Sequence, residues 1–134
     1  MIAKTNCKAA QMVAILLTAG VVSSFLIFAE ERLIGTKRVW KFMNLTSSSS
    51  DDEISLVAFA LVVHLVGGFS VWFRPELGFF ILSIAHAMMV AISFSRDGFS
   101  GDQISIALLA LWFFWSGLKH RNPDKITDAT KQND

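Results

Sequence analysis

The chain has 134 residues, of which 53% are hydrophobic and only 17% charged, and its mean hydropathy is +0.51. Charged residues make up about a quarter of an ordinary water-soluble domain, so this composition excludes one; it also excludes intrinsic disorder, which needs low hydrophobicity and high net charge. A net charge of +1 leaves no basic surplus for capturing nucleic acid, and the single cysteine, Cys7, excludes an internal disulfide framework or a cysteine-only metal site. The length allows one domain, and the composition places that domain in a membrane.

The first apolar run, Met12 to Ala29, has 18 residues, enough to cross the roughly 30 Å hydrocarbon core at about 1.5 Å per residue. Lys4 and Lys8 ahead of it and Ala29 at its end resemble a signal sequence. The run is longer than a usual signal core and Ile27 is a poor small-residue match, so an uncleaved helix is expected. Cys7, just before the run, permits acylation, although an idle or buried thiol is the favoured reading. Ala10, Ala14 and Thr18 recur at four-residue spacing, as do Gly20 and Ser24, and such small residues let helices approach closely.

The first connection runs from Glu30 to Glu53. Leu33, Ile34, Val39, Trp40, Phe42 and Met43 are interleaved with Arg32, Lys37, Arg38 and Lys41. That pattern suits a segment lying along the headgroups, with Trp40 as a candidate interaction residue; an ordinary solvated loop is the competing reading. Asn44, Leu45, Thr46 form a glycosylation sequon, meaningful only in a lumenal loop of a eukaryotic protein. Ser47 to Ser50, followed by Asp51, Asp52 and Glu53, predict a flexible link ending in a helix N-cap, with acids favouring the helix dipole.

The second and third runs, Ile54 to Phe73 and Leu77 to Ser95, are separated only by Arg74, Pro75 and Glu76. Proline keeps the residue before it out of the helical region and is itself suited to a first helical turn, so Arg74 ends one helix, Pro75 begins the next, and the two form an antiparallel hairpin. Arg96 to Asp102, with Gly98 and Gly101, predicts another compact turn, and Ser100 or Asp102 is placed to cap a fourth helix. The fourth run, Ile104 to Leu118, has only 15 residues and spans if Asp102 and Gln103 reach headgroup level or the bilayer thins. The expected fold is therefore all-α: an antiparallel bundle of four transmembrane helices (about 12–29, 54–73, 77–95 and 103–118) in one domain over 1–118. A polar tail, 119–134, is expected to be disordered, with His120 on its surface.

Trp72, Trp112 and Trp115 lie near run ends, where aromatic belts anchor a helix. With the N-terminus inside, Lys4, Lys8, Arg74, Lys119, Arg121, Lys125 and Lys131 share the inner side, against Arg32, Lys37, Arg38, Lys41 and Arg96 outside. This weakly favours both termini inside, and a bacterial inner membrane over a eukaryotic one.

The ionisable residues inside the spans are His64 and His86, each about 15 Å from the Arg74–Pro75 turn and so at a shared depth on neighbouring helices. One reading is a cofactor-binding pair, for haem b or a quinone headgroup, in a membrane anchor subunit of an oxidoreductase. Helices joined by so tight a turn pack at about 8 to 10 Å, which leaves little room for a macrocycle between them. The favoured reading is polar glue: Ser83, His86 and Ser93 on one helix face, and Ala60, His64, Gly67 and Gly68 on the other. Gly67, Gly68 and Ser83 join Trp40 as candidate interaction residues. No nucleophile elbow, phosphate loop or carboxylate–histidine pair is present, so no catalytic residue and no metal ligand set is assigned, and whether the chain is an enzyme stays open with the balance against.

Gly67 and Gly68 within a helix, the Arg74–Pro75 turn, Leu77 and Gly78 opening the next helix, and the compact polar turn before the last resemble the DoxX-like group of small four-helix membrane proteins. The resemblance covers residues 54 to 118, about half the chain. It implies an accessory role beside a membrane oxidoreductase or another partner, with no catalytic residues to carry over. The expectation is a small non-catalytic accessory, assembly or interaction subunit that contacts the lipid bilayer and another membrane protein, or itself.

Overall fold

The computed structural model describes residues 2–34 and 50–121, and over them the chain is entirely helical. Helix α1 is Ile2–Ile34, α2 Asp51–Phe73, α3 Pro75–Asp97 and α4 Gly101–Arg121. Each contains a stretch long and apolar enough to cross a membrane. Helices α1, α3 and α4 overrun their apolar runs at both ends and α2 at its start, because polar residues continue the backbone ladder once it reaches the headgroups. This resolves the short fourth run: α4 has 21 residues, about 31 Å at the helical rise, and ends at Arg121, past the expected boundary at 118. Helix α1 likewise continues unbroken through Ala29 to Ile34.

The helix ends follow local chemistry. Ser50 caps α2 by accepting from the Glu53 N–H, while the Glu53 carboxylate accepts from the Ser50 N–H, a complete capping box followed by the expected acidic first turn. Arg74 closes α2, donating its N–H to the Ser70 carbonyl at 2.7 Å, and Pro75 opens α3. Gly98 ends α3 at φ 71°, a conformation that favours glycine.

The helices run up and down. The start of α1 meets the end of α2, where Gln11 Nε2 donates to the Val71 carbonyl at 3.2 Å. Arg96 near the end of α3 pairs with Glu53 in the first turn of α2 at 3.3 Å. The core has two levels. Val57, Ala60, Leu61, Met89 and Ile92 fill one, with Val21 and Phe25 of α1 against them, and Ala14, Val71, Phe79, Leu82 and Phe113 fill the other. Helix α3 packs extensively on both α2 and α4, whereas α1 is held along a seam on α2. Only 6% of the first span is buried within the chain, against 39% and 44% for the second and third.

Candidate functional site

Glycines set the spacing around the centre of the bundle. A Cβ on Gly67 would lie 2.9 Å from the Leu82 backbone nitrogen, and one on Gly78 2.2 Å from that of Val71, so α2 and α3 touch backbone to backbone near their turn. A turn further from that end, the two histidines meet. The His64 and His86 ring centres are 4.9 Å apart and the planes tilted by 46°, the shared depth that their equal distance from the turn implies. His86 donates from Nδ1 to the Leu82 carbonyl at 2.8 Å and lies 5.0 Å from the Phe113 ring. His64 is completely buried, and neither of its nitrogens has a hydrogen-bond partner among the described residues.

The polar-glue expectation thus divides. His86 takes it up on the carbonyl one turn back in its own helix, and Ser83 Oγ donates across to the Ala110 carbonyl of α4 at 2.8 Å. Among the described residues His64 has no hydrogen-bond partner, because Gly67 and Gly78 hold the α2 and α3 backbones close and those backbones are already paired within their helices.

The pair does not fit a haem held between its two rings. With metal–nitrogen bonds of about 2 Å, axial imidazoles on opposite faces of a macrocycle place their ring centres on the order of 6 Å apart or more. Here they are 4.9 Å apart and tilted. A quinone headgroup or a haem shared with another chain needs a ring edge at the surface, and the two residues are 0% and 4% exposed. No group of three or more His, Cys, Asp or Glu among the described residues is placed to hold a metal ion.

The candidate interaction residues Gly67, Gly68 and Ser83 all serve contacts inside the chain. Gly67 faces Leu82 of α3, Gly68 faces Thr18 of α1 with a virtual Cβ 2.4 Å from its Oγ1, and Ser83 bonds to α4. Trp40, the remaining basic and aromatic residues from Lys37 to Met43, the Asn44 sequon and the tail from 122 lie outside the described residues. The two small-residue stripes of α1 part company. Ala14 and Thr18 are buried in the seam with α2, whereas Gly20 faces open space and lines a shallow groove with Val13, Leu16, Leu17, Val21 and Ser24.

Gln103, expected at headgroup level if the fourth run is to span, stands in the first turn of α4 and is buried within the chain: its amide donates to Ser93 Oγ and the Gly98 carbonyl and accepts from the Ser100 N–H, so it ties the α3–α4 turn. The signal was there, since a Gln three residues after a Ser at a helix start is half of a capping box. His120, expected on the surface, is half-buried against Phe79 at 4.9 Å and donates to the Ser116 carbonyl. Because α4 continues as helix, His120 falls on the same face as Ser116 and Phe113. Trp72 and Trp115 are largely exposed near helix ends, and Lys119 stands over the Trp115 ring at 5.8 Å, as interfacial anchors do.

Four spanning helices, apolar outer faces and a closed polar centre define a small integral membrane protein with a four-helix bundle. No family model, curated protein or solved structure matches the chain.

Proposed function

We propose that the chain is a non-catalytic accessory or assembly subunit of a membrane complex, and that a transmembrane helix of its partner packs along the Leu16, Gly20 and Ser24 face of α1. One observation carries this reading. Helix α1 is anchored by one seam, and among the described residues a second small-residue face beside that seam is left open, with none of them within 4 Å of a Cβ on Gly20. In hydrocarbon, helices associate through close packing and not through the hydrophobic effect, and such a face is what close packing uses. Ser24 turns its hydroxyl onto the Gly20 carbonyl at 2.9 Å, so the face presents no unpaired donor to a partner.

The same reading makes residues 1–118 one membrane domain and assigns Trp40 and the 30–53 connection a supporting role in the contact. It has both termini inside, in a bacterial inner membrane: among the described helices Lys4, Lys8, Arg74, Lys119 and Arg121 lie toward one end of the bundle and Arg32 and Arg96 toward the other, the direction of bias that the positive-inside rule reads as inside. The haem or quinone alternative draws no support from the closed His64–His86 pair.

Purification in mild detergent from the native membrane, with co-purifying proteins identified by mass spectrometry, tests the proposal. A stoichiometric membrane partner that is lost from Gly20→Leu, while the variant keeps its helicity, is the expected result. A chain that purifies alone, or a partner retained equally by Gly20→Leu, would overturn it, as would a haem band in the dithionite-reduced spectrum.

A further inference from the structure

On the other side of the seam, side chains of α1 and α2 line a second and larger groove of about 680 Å³ on the outer face of the bundle. Its floor is the contact of Thr18 with Gly68, and its walls are Ile15, Ala19 and Val22 on α1 with Leu65, Phe69 and Trp72 on α2. The hydroxyls on this side turn inward: Thr18 donates to the Ala14 carbonyl and Ser23 to the Ala19 carbonyl, each at 2.8 Å. What remains exposed is hydrocarbon and aromatic ring.

Length and charge identify the occupant. From Leu65 to Phe73 the groove covers about 12 Å along α2, close to the half of a roughly 30 Å core that belongs to one leaflet. Its Ile15, Trp72 and Phe73 end is the one nearer the end of the bundle that carries Lys8 and Arg74. Lys8 stands two turns before Ile15 on the same face of α1, and Arg74 directly follows Phe73. The Gln11 bond to Val71 ties the first of those α1 turns to the end of α2, bringing both cations to one level. Both are exposed, neither is in an ion pair among the described residues, and Glu76 is the one carboxylate at that end among them.

We propose that this groove binds a single anionic phospholipid, with one acyl chain lying between α1 and α2 and the phosphate held by Lys8 and Arg74. Basic sites between transmembrane helices recognise anionic headgroups in this way. The apolar walls accept any acyl chain, so the cations supply the selectivity. The site is independent of the Gly20 face, which lies on the opposite side of the α1–α2 seam.

Native mass spectrometry of the full chain, delipidated and titrated in parallel with phosphatidylglycerol and phosphatidylcholine of matched chains, provides the test. The expected result is one phosphatidylglycerol retained per chain, with a preference of about tenfold over phosphatidylcholine. Lys8→Ala with Arg74→Ala should bring the two lipids to parity, and Lys8→Arg with Arg74→Lys should keep the preference. Ala19→Phe, which fills the groove without touching the cations, should reduce retention of both lipids. Equal retention of the two by the unaltered chain would overturn the proposal, and so would a preference untouched by removal of the cations. A dimer that Ala19→Phe dissociates would overturn it in favour of a second copy in the groove.

Discussion

His64 and His86 stand ring against ring, 4.9 Å between centres, yet among the described residues His86 has a hydrogen-bond partner and His64 has none. The difference comes from the helix positions around them. His86 reaches back to the carbonyl of Leu82 on its own helix, while His64 is enclosed by the close α2–α3 approach that Gly67 and Gly78 permit. A buried polar group left without a partner costs about 1 to 3 kcal/mol, and replacing it by an apolar group of similar shape removes that cost.

His64→Leu is therefore expected to raise stability by about 1 kcal/mol. His86→Leu should give no such gain, since it removes a satisfied bond. Thermal unfolding in mild detergent, followed by circular dichroism, compares the two; a His64→Leu variant that melts well below the unaltered chain would mean that His64 has a partner or a bound group.

Gly78→Ala is expected to destabilise by about 3 kcal/mol, toward the upper part of the overpacking range, because the new Cβ meets the backbone of Val71 and backbone cannot step aside. Gly68→Ala meets the Thr18 side chain instead. Trimming with Thr18→Ala should recover part of the Gly68→Ala loss, whereas Val71→Ala should recover little of the Gly78→Ala loss. Equal rescue in the two pairs would contradict the backbone contact.

Gln103→Leu should cost about 2 kcal/mol, since it strands the Gly98 carbonyl and the Ser100 N–H and removes the bond to Ser93. Hydrogen exchange should show the gain in opening confined to the α3–α4 turn. Uniformly faster exchange throughout the bundle would place the role of Gln103 elsewhere.

Ser50→Ala should cost about 1 kcal/mol by breaking the capping box. Arg96→Ala should cost less, about 0.5 kcal/mol, since its partner Glu53 is more than a third exposed and solvent screens the pair. Both are read from the same unfolding midpoint, and a larger effect for Arg96→Ala would reverse the ranking.

Orientation has its own test. A fluorescent reporter that folds only in the cytoplasm, fused after Asp134, should be bright, and a reporter active only outside the cytoplasm should be silent at the same position. The opposite pattern would place the Lys8 and Arg74 end of the bundle outside.

Much of the architecture is determined by the sequence alone, because each feature depends on neighbours in the chain. Apolar run length sets the number of spans, and Pro75 after Arg74 sets the hairpin. Ser50 with Glu53 sets the start of α2, and equal offsets from the turn set the shared depth of the two histidines. Tertiary structure alone decides which faces are used. Period and spacing mark Ala14, Thr18, Gly20 and Ser24 alike as small, but only packing shows that the first two are buried against α2 and the other two left facing outward. The same holds for Gln103 and His120, drawn inward by bonds and rings that helix continuation brings within reach, and for His64, whose missing partner depends on how closely two backbones approach. In hydrocarbon the apolar pattern surrounds every helix, so hydrophobicity cannot distinguish a face that meets lipid from one that meets protein; close packing and hydrogen-bond satisfaction make that distinction.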